Sequence, residues 1–284
     1  MKILSGKKVS EKIFAGLMAK LQKLDESPKL LSVLIGENPA AISYAKAKDR
    51  KASALGAEFR ILTLKSSSSQ REIEREVKNY IKIWNPDGII IEKPIPKDID
   101  FPKLANLIPP VSDIDCQRMD SLGMLISGKA RYIPATPKAI LEILDYYNIP
   151  VAGKNVVVIG RSMTVGLPIS IILASKSKFG NATVSLCHSK TKDISKYTKR
   201  ADIIIMATGR PGLLTADMVT RKAIVIDVGT TYKSGKLLGD VHFATVSEKV
   251  KAITPVPGGV GPVTTASLFQ NLVNACISRK NKKI

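Results

Sequence analysis

A buried strand that ends at a glycine is the feature of this sequence that most constrains its fold. The apolar run Val156–Ile159 leads directly into Gly160, and a helix is predicted from Val165 and Gly166. Backbone N–H groups at such a helix start suit a phosphate or pyrophosphate, as in dinucleotide-binding folds. Ser162 holds the middle position of the usual G-x-G-x-x-G motif, so an ordinary strand–turn–helix connection stays open as an alternative.

The segment after the next predicted strand indicates which dinucleotide is bound. That strand ends at His188, Ser189 and Lys190, and the first acid, Asp193, lies beyond them. An NAD site places an acid roughly 20 residues after the glycine loop, where it accepts hydrogen bonds from the ribose. Arg161, Ser189 and Lys190 would instead bind a ribose 2′-phosphate. The sequence therefore predicts NADP rather than NAD, with a basic surface loop as the plainer alternative.

Composition predicts a globular chain of two modest domains. The chain has 284 residues, of which 44% are hydrophobic, and no apolar run approaches the roughly 18 residues that span a bilayer. Cys116, Cys187 and Cys276 show neither metal-ligand spacing nor a disulfide framework, and only two histidines are present. We expect no metal site, no signal peptide, no membrane partner and a cytoplasmic location.

The net charge of +20 raises the alternative of nucleic-acid binding. The lysines are spread along the chain, however, and only 5% of residues are aromatic, which leaves little material for base stacking. A basic surface also concentrates small anionic substrates. General solubility is the plainest explanation, and no nucleic-acid partner is expected.

Helix and strand patterns alternate in both halves of the chain, which predicts an α/β fold with parallel sheets. Strands are predicted at 30–35, 61–64, 88–91, 156–159, 182–186, 203–206, 223–228 and, as a short one, 252–254. Helices are predicted at 9–24, 40–55, 69–84, 138–148 and 264–277. A polar, turn-rich segment at 109–137 separates the first half from a compact Rossmann-type unit.

Five polar residues stand out as candidates for catalysis or ligand binding. Tyr44 and Lys48 share one face of a predicted helix, where a desolvated lysine can act as acid or base; a solvated face is the alternative. Glu92 ends the strand at 88–91 and either pairs with Lys48 or lies exposed at the rim. Asp113 and Asp115 lie two apart in a turn, where they can bind metal, cap a helix or accept hydrogen bonds from a folate-type heterocycle.

Taken in order, these segments resemble the bifunctional methylenetetrahydrofolate dehydrogenase/methenyltetrahydrofolate cyclohydrolase family over nearly the whole chain. The proline–glycine run at 253–264 is the most specific of them. The motifs that carry the resemblance are Ser43-Tyr44…Lys48, Pro94-x-Pro96, Asp113-Ile114-Asp115, Thr136-Pro137, Gly160-Arg161-Ser162…Val165-Gly166-x-Pro168, Cys187-His188-Ser189-Lys190-Thr191, Asp227-Val228-Gly229, Gly239-Asp240-Val241 and Ile253-Thr254-Pro255-Val256-Pro257-Gly258-Gly259-Val260-Gly261-Pro262-Val263-Thr264.

The resemblance implies roles for particular residues. Lys48 would be the central catalytic group, Tyr44 would stack on or orient the pterin, and Asp115 would bind its amino edge. Glu92 would belong to the same catalytic set. Loop residues that would line the folate cleft are Pro257, Gly258 and Gly259. Residues that would contact NADP are Gly160, Arg161, Ser162, Val165, Gly166, His188, Ser189, Lys190, Thr208, Gly209 and Gly229.

The implied reaction is the oxidation of 5,10-methylenetetrahydrofolate by NADP, followed by hydrolysis of the methenyl product to 10-formyltetrahydrofolate in one-carbon metabolism. The implied domains are a catalytic, folate-binding domain at 1–138 with 265–284, to which the C-terminal helix returns, and a Rossmann-type NADP-binding domain at 139–264. Expected partners are tetrahydrofolate derivatives, including polyglutamylated ones, and a second copy of the chain in a homodimer.

Two positions depart from the family pattern. The family has glutamine where this chain has Glu92, and glycine where it has Cys116. A carboxylate at 92 favours the ammonium form of Lys48, which leaves a monofunctional dehydrogenase with weak or lost cyclohydrolase as an alternative. A basic nucleic-acid-binding protein on a Rossmann scaffold is the alternative from another class.

Overall fold

The computed structural model describes residues 1–233 and 235–280, which divide into two compact units. The six-stranded unit contains Met1–Lys12 and Pro134–Ser267. The three-stranded unit contains Ile13–Ile133 and the chain from Leu268 onward. The domain boundaries expected from the sequence stay a proposal, and their last residues, 281–284, lie outside the described part of the chain.

The described residues form short parallel strands that alternate with helices. The strands are β1 (Lys2–Ile3), β2 (Lys29–Ile35), β3 (Glu58–Leu64), β4 (Gly88–Ile91), β5 (Asn155–Ile159), β6 (Thr183–Cys187), β7 (Ile203–Met206), β8 (Ile224–Asp227), β9 (Thr231–Lys233), β10 (Lys236–Leu238) and β11 (Ala252–Ile253). The α-helices are α1 (Gly6–Leu21), α2 (Pro39–Ala54), α3 (Gln70–Trp84), α4 (Phe101–Ala105), α5 (Met119–Ile126), α6 (Ala135–Tyr146), α7 (Gly166–Ala174), α8 (Ser195–Thr198), α9 (Phe243–Ser247) and α10 (Val260–Lys280).

The three-stranded sheet has the order β3-β2-β4, and all its strands are parallel. Strand β2 lies at the centre, where Leu31 and Val33 pack with Ile73 and Val77 of α3 in one core cluster. Ser69 begins α3 with a reciprocal capping box. Because parallel strands end at one edge, residues that follow β2 and β4 meet there, which is where such folds place functional groups.

The six-stranded sheet has the order β1-β11-β8-β7-β5-β6, and its strands are also parallel. Strand β5 is buried along Val156–Ile159, as its continuous apolar run predicts. The chain passes from β5 to β6 on one side and then crosses to β7 on the other. The carboxyl end of β5 therefore lies at the switch point where doubly wound folds bind ligands.

The α/β fold class with parallel sheets is confirmed. The expectation that residues 109–137 form a turn-rich segment is wrong in part. Helix α5 forms inside this segment because polar groups organise its first turn. The Arg118 guanidinium pairs with Asp120 at 2.7 Å, and Asp113 accepts hydrogen bonds from the Arg118 amide and the Ser121 hydroxyl. Strand β1 and the hairpin of β9 and β10 were also not predicted, since each has only two or three residues per strand.

Candidate active site

A lysine–glutamate ion pair lies at the carboxyl edge of the three-stranded sheet. Glu92 directly follows β4, and Lys48 lies in α2, the helix after β2. Lys48 Nζ is 2.5 Å from Glu92 Oε1, and the two side chains are 15% and 8% exposed. Ser32, fully buried in β2, donates its hydroxyl to the same glutamate oxygen. The sequence left two alternatives for Glu92, an ion pair with Lys48 or an exposed position at the rim, and the structure shows the ion pair.

Tyr44 lies one helical turn before Lys48 in α2, and its ring is half exposed. An aromatic ring that is open to solvent in the protein alone can cover a planar ligand when one binds. The solvated-face alternative fails for Lys48, whose side chain is mostly buried against Glu92. The neighbouring Lys46, by contrast, is exposed.

The two aspartates of the Asp113–Asp115 turn have different environments. Asp113 is fully buried and accepts hydrogen bonds from the Gln117 and Arg118 amides, so it holds the loop together. Asp115 is only half-buried. Desolvation lowers the pKa of Lys93, and the Asp115 carboxylate opposes that shift. Asp115 is therefore within electrostatic reach of the residue next to Glu92.

Cys116 stands where the resemblance expects glycine, and its backbone explains that expectation. Its φ is 51°, in the left-handed region that glycine adopts without a steric cost. The buried thiol donates to the Tyr132 carbonyl oxygen at 3.0 Å. The departure from the family pattern is therefore accommodated by the loop itself.

Gln117 is a residue of this site that the sequence did not reveal. Its side-chain oxygen accepts from the Ile91 amide at 2.8 Å, and its side-chain nitrogen donates to the Ile91 carbonyl at 3.0 Å. These bonds fix the backbone of the residue before Glu92. Gln117 lies 26 residues from Ile91 and belongs to no motif, so only the fold could show the contact.

In the six-stranded unit, the turn after β5 requires glycine at two positions. Gly160 has φ 120°, and a Cβ there would collide with the Ala207 carbonyl oxygen. A Cβ at Gly166 would collide with the carbonyl oxygen of Gly160. The Ser162 hydroxyl accepts hydrogen bonds from the amides of Val165 and Gly166, at 3.2 and 3.4 Å, and so caps the start of α7. The serine that weakened the motif thus has a local structural role.

A cavity of about 400 Å³ opens at the carboxyl ends of β5, β6 and β7. Six of the predicted cofactor residues line it: Gly160, Arg161, Ser162, His188, Ser189 and Thr208. Three polar lining residues were not predicted: Thr191, Lys192 and Arg210. Within the described chain, none of the residues that line this cavity is Asp or Glu. A tight glycine turn beside an acid-free, cationic cavity fits a dinucleotide with a 2′-phosphate.

The turn after β6 positions the cavity residues His188 and Thr191. The His188 amide donates to the Thr191 hydroxyl at 3.0 Å, and the Thr191 amide donates to the His188 carbonyl at 2.8 Å. Lys190 donates its amide to His188 Nδ1 and, unlike its neighbour Ser189, is not among the residues that line the cavity. The prediction for Lys190 therefore has weaker support than that for Ser189.

Thr208, Gly209 and Gly229 lie around a pair of buried carboxylates. Asp240 Oδ2 accepts hydrogen bonds from the amides of Thr208 and Gly209, and Asp227 accepts from the amides of Gly229 and Asp240. Burial raises the pKa of Asp227 to about 6, although these backbone donors oppose the rise. Of Thr208, Gly209 and Gly229, only Thr208 is among the residues that line the cavity, so the predictions for the two glycines have weaker support.

The Pro257–Gly259 loop belongs to the six-stranded unit, whereas Tyr44, Lys48, Glu92 and Asp115 belong to the three-stranded unit. The Gly6 amide donates to the Gly258 carbonyl, and a Cβ at Gly6 would collide with the Gly259 carbonyl oxygen. Gly258 itself has φ 95°. The start of α1 therefore fixes this glycine loop, which leads into α10.

Two negative findings concern residues 1–233 and 235–280. No group of three or more His, Cys, Asp or Glu side chains there could hold a metal ion. No helix in the same ranges combines the length and apolar character needed to cross a bilayer.

Two family models match the chain in succession. Residues 4–115 match the catalytic domain of tetrahydrofolate dehydrogenase/cyclohydrolase, and residues 134–280 match its NAD(P)-binding domain. The chain belongs to this family. The match confirms the resemblance drawn from the sequence and gives no support to a nucleic-acid-binding scaffold.

Individual relatives of the family cover the whole chain. The bifunctional protein FolD of Nitratiruptor sp. is 42% identical over 284 residues, which is 99% of each chain. The bifunctional 5,10-methylenetetrahydrofolate dehydrogenase/cyclohydrolase of Thermoplasma acidophilum has a TM-score of 0.90 at 38% identity, over 99% of this chain and 100% of that one. The Trypanosoma brucei enzyme, complexed with NADP cofactor and inhibitor, has a TM-score of 0.90 at 31% identity, over 98% and 97%.

Proposed function

We propose that this family member oxidises 5,10-methylenetetrahydrofolate with NADP and hydrolyses the 5,10-methenyl product to 10-formyltetrahydrofolate in one-carbon metabolism. The observation that carries the proposal is the mostly buried Lys48–Glu92 pair at the edge of the three-stranded sheet. It occurs in a chain whose named relatives are bifunctional and match it from end to end.

The six-stranded unit would bind NADP. Arg161 and Ser189 line its cavity and are proposed to hold the 2′-phosphate through charge-assisted hydrogen bonds. Lys192 and Arg210 add positive charge to the same cavity. The turn at Gly160 lets the backbone approach the pyrophosphate. When bound, NADP supplies the two-electron acceptor for the methylene carbon.

The three-stranded unit would carry the acid–base chemistry. Water attacks the methenyl carbon and loses a proton, and the bond from that carbon to N5 then breaks as N5 takes up a proton. Lys48 is the proposed carrier of these protons. Tyr44 would orient the pterin, and Asp115 would accept hydrogen bonds from its amino edge. The Pro257–Gly259 loop is proposed to line the folate cleft.

Glu92 favours a second form of this function. Its carboxylate pairs directly with the Lys48 amino group, so the lysine is less available to the attacking water. The same negative charge stabilises the cationic methenyl product of the oxidation. The resulting enzyme would be a full dehydrogenase with a cyclohydrolase that is weak near neutrality.

The proposal extends to partners and location. A net charge of +20 attracts the glutamate tail of folates, including polyglutamylated ones. The three cysteines are buried, and their spacing shows no disulfide framework, which accords with a reducing compartment such as the cytoplasm. A homodimer is proposed on the family resemblance, and light scattering of the purified protein would test it.

Replacement of the lysine tests the proposed chemistry. We expect Lys48→Met to abolish methenyltetrahydrofolate hydrolysis while the protein stays folded and binds NADP, because the proton carrier alone is lost. Lys46→Met, at an exposed position of the same helix, is the matched control and should keep the wild-type rate. Hydrolysis by Lys48→Met at the wild-type rate would remove this lysine from the mechanism.

A further inference from the structure

Ser32 is a polar residue in the middle of an apolar strand. Strand β2 reads Lys-Leu-Leu-Ser-Val-Leu-Ile, and Ser32 is fully buried in it. It is paired with Ile61 of β3 on one side and Ile90 of β4 on the other. A buried hydroxyl costs free energy unless it is hydrogen-bonded, and a β-branched apolar residue would suit a central strand better. The Ser32 hydroxyl therefore requires a specific hydrogen-bond partner.

That partner is the glutamate of the candidate active site. Ser32 Oγ donates to Glu92 Oε1 at 2.5 Å, and Lys48 Nζ donates to the same oxygen at 2.5 Å. An O–H···O⁻ bond to an ionised carboxylate is about 2.5–2.7 Å long. The serine thus fixes which glutamate oxygen faces the lysine.

We propose that Ser32 is a positioning residue for the reaction. It acts through Glu92, whose carboxylate it holds against Lys48, and in this way it sets how firmly the lysine is paired and how available it is to the reacting groups. The inference rests on the proposed function, because it requires Lys48 to be the proton carrier of the hydrolysis.

The test combines Ser32→Ala with a matched control and a second background. Without the hydroxyl, the Glu92 side chain gains rotational freedom and pairs less firmly with Lys48. We therefore expect the cyclohydrolase kcat at neutral pH to rise about ten-fold, the size of one lost charge-assisted hydrogen bond, with KM nearly unchanged. Ser112→Ala, which removes another buried hydroxyl of the same unit, should leave kcat unchanged.

The Glu92→Gln background separates positioning from simple packing. In Glu92→Gln the ion pair with Lys48 is already lost, although the serine can still donate to the amide, so Ser32→Ala should have little further effect there. An equal effect in both backgrounds, or an unchanged kcat in Ser32→Ala, would overturn the proposal.

A readout that needs no activity is the chemical shift of the Glu92 carboxyl carbon at neutral pH. It should move in Ser32→Ala and not in Ser112→Ala; an unmoved resonance overturns the positioning role. A wild-type protein without either enzymatic activity would instead contradict the proposed function, whatever the resonance does.

Discussion

At the scale of single residues, the proposed preference for NADP over NAD depends on the cations of the cavity beside Gly160. Arg161 and Ser189 both line it, and no acid was found among its described lining residues. Loss of one charge-assisted contact costs about 1.5–3 kcal/mol. We expect Arg161→Ala to weaken NADP binding roughly ten-fold or more and to leave NAD binding nearly unchanged, as measured by calorimetric titration with each cofactor.

Arg200→Ala is the matched control, since this arginine lines a different cavity of the same unit. It should leave both affinities near the wild-type values. Equal losses for NADP and NAD in Arg161→Ala would indicate a folding defect and refute the assignment.

The charge on Glu92 is the second residue-scale question. Glutamine has the same shape and can still accept hydrogen bonds from Ser32 and Lys48, but it carries no charge. We expect Glu92→Gln to raise the cyclohydrolase rate at neutral pH, because the ion pair that holds Lys48 is lost. The measurement is hydrolysis of methenyltetrahydrofolate over a range of pH. A loss of both activities would mean that the carboxylate itself is required.

At the scale of elements, helix α10 is tied to the start of β4 by a buried charge. Arg279 Nε is 3.1 Å from Asp87 Oδ1, and Arg279 also donates to the Asn85 carbonyl. Asp87 is almost fully buried. Removal of one partner from such a pair leaves an uncompensated charge. We expect Arg279→Ala to lower the free energy of unfolding of this unit by about 2–3 kcal/mol at neutral pH, since the arginine is itself partly exposed.

The pH dependence of this loss has a definite sign. Burial raises the pKa of Asp87, and the Lys29 amide and Arg279 oppose the rise. A carboxyl with a raised folded-state pKa stabilises the fold when protonated and loses that contribution as pH increases. Arg279→Ala should therefore cost less near pH 4 than at neutral pH, as measured by urea unfolding. Lys103→Ala, which removes an exposed pair with Asp100, should cost under about 1 kcal/mol at either pH. A pH-independent loss would contradict the account.

The elements also show what the sequence can predict. Continuous apolar runs predicted β2, β4, β5 and β7, because strands of a parallel sheet are buried on both faces. Helix α5 was not predicted, since its start depends on Asp113 and Arg118 within a segment that reads as turns. Strands of only two or three residues, such as β1, are too short to show a hydrophobic pattern that predicts a strand.

At the scale of the whole molecule, family motifs carried more information than local patterns. The glycine turn and the Tyr44–Lys48 spacing indicated chemistry, but the contacts that give these residues their environment join distant positions. Ser32 and Glu92 are 60 residues apart, and Gln117 and Ile91 are 26 apart. No periodicity or spacing encodes such contacts. The cavity residues Lys192 and Arg210 were missed for the same reason.

The central claim is that one chain both oxidises methylenetetrahydrofolate and hydrolyses the product. Its most direct test is purified wild-type protein with 5,10-methylenetetrahydrofolate and NADP, with NADPH and methenyltetrahydrofolate absorbance followed separately from neutral to alkaline pH. We expect NADPH to form at all these pH values, with methenyltetrahydrofolate accumulating near neutrality and cleared faster as pH rises. No NADPH, or methenyltetrahydrofolate that persists in stoichiometric amount beyond its spontaneous hydrolysis at every pH, would contradict the claim.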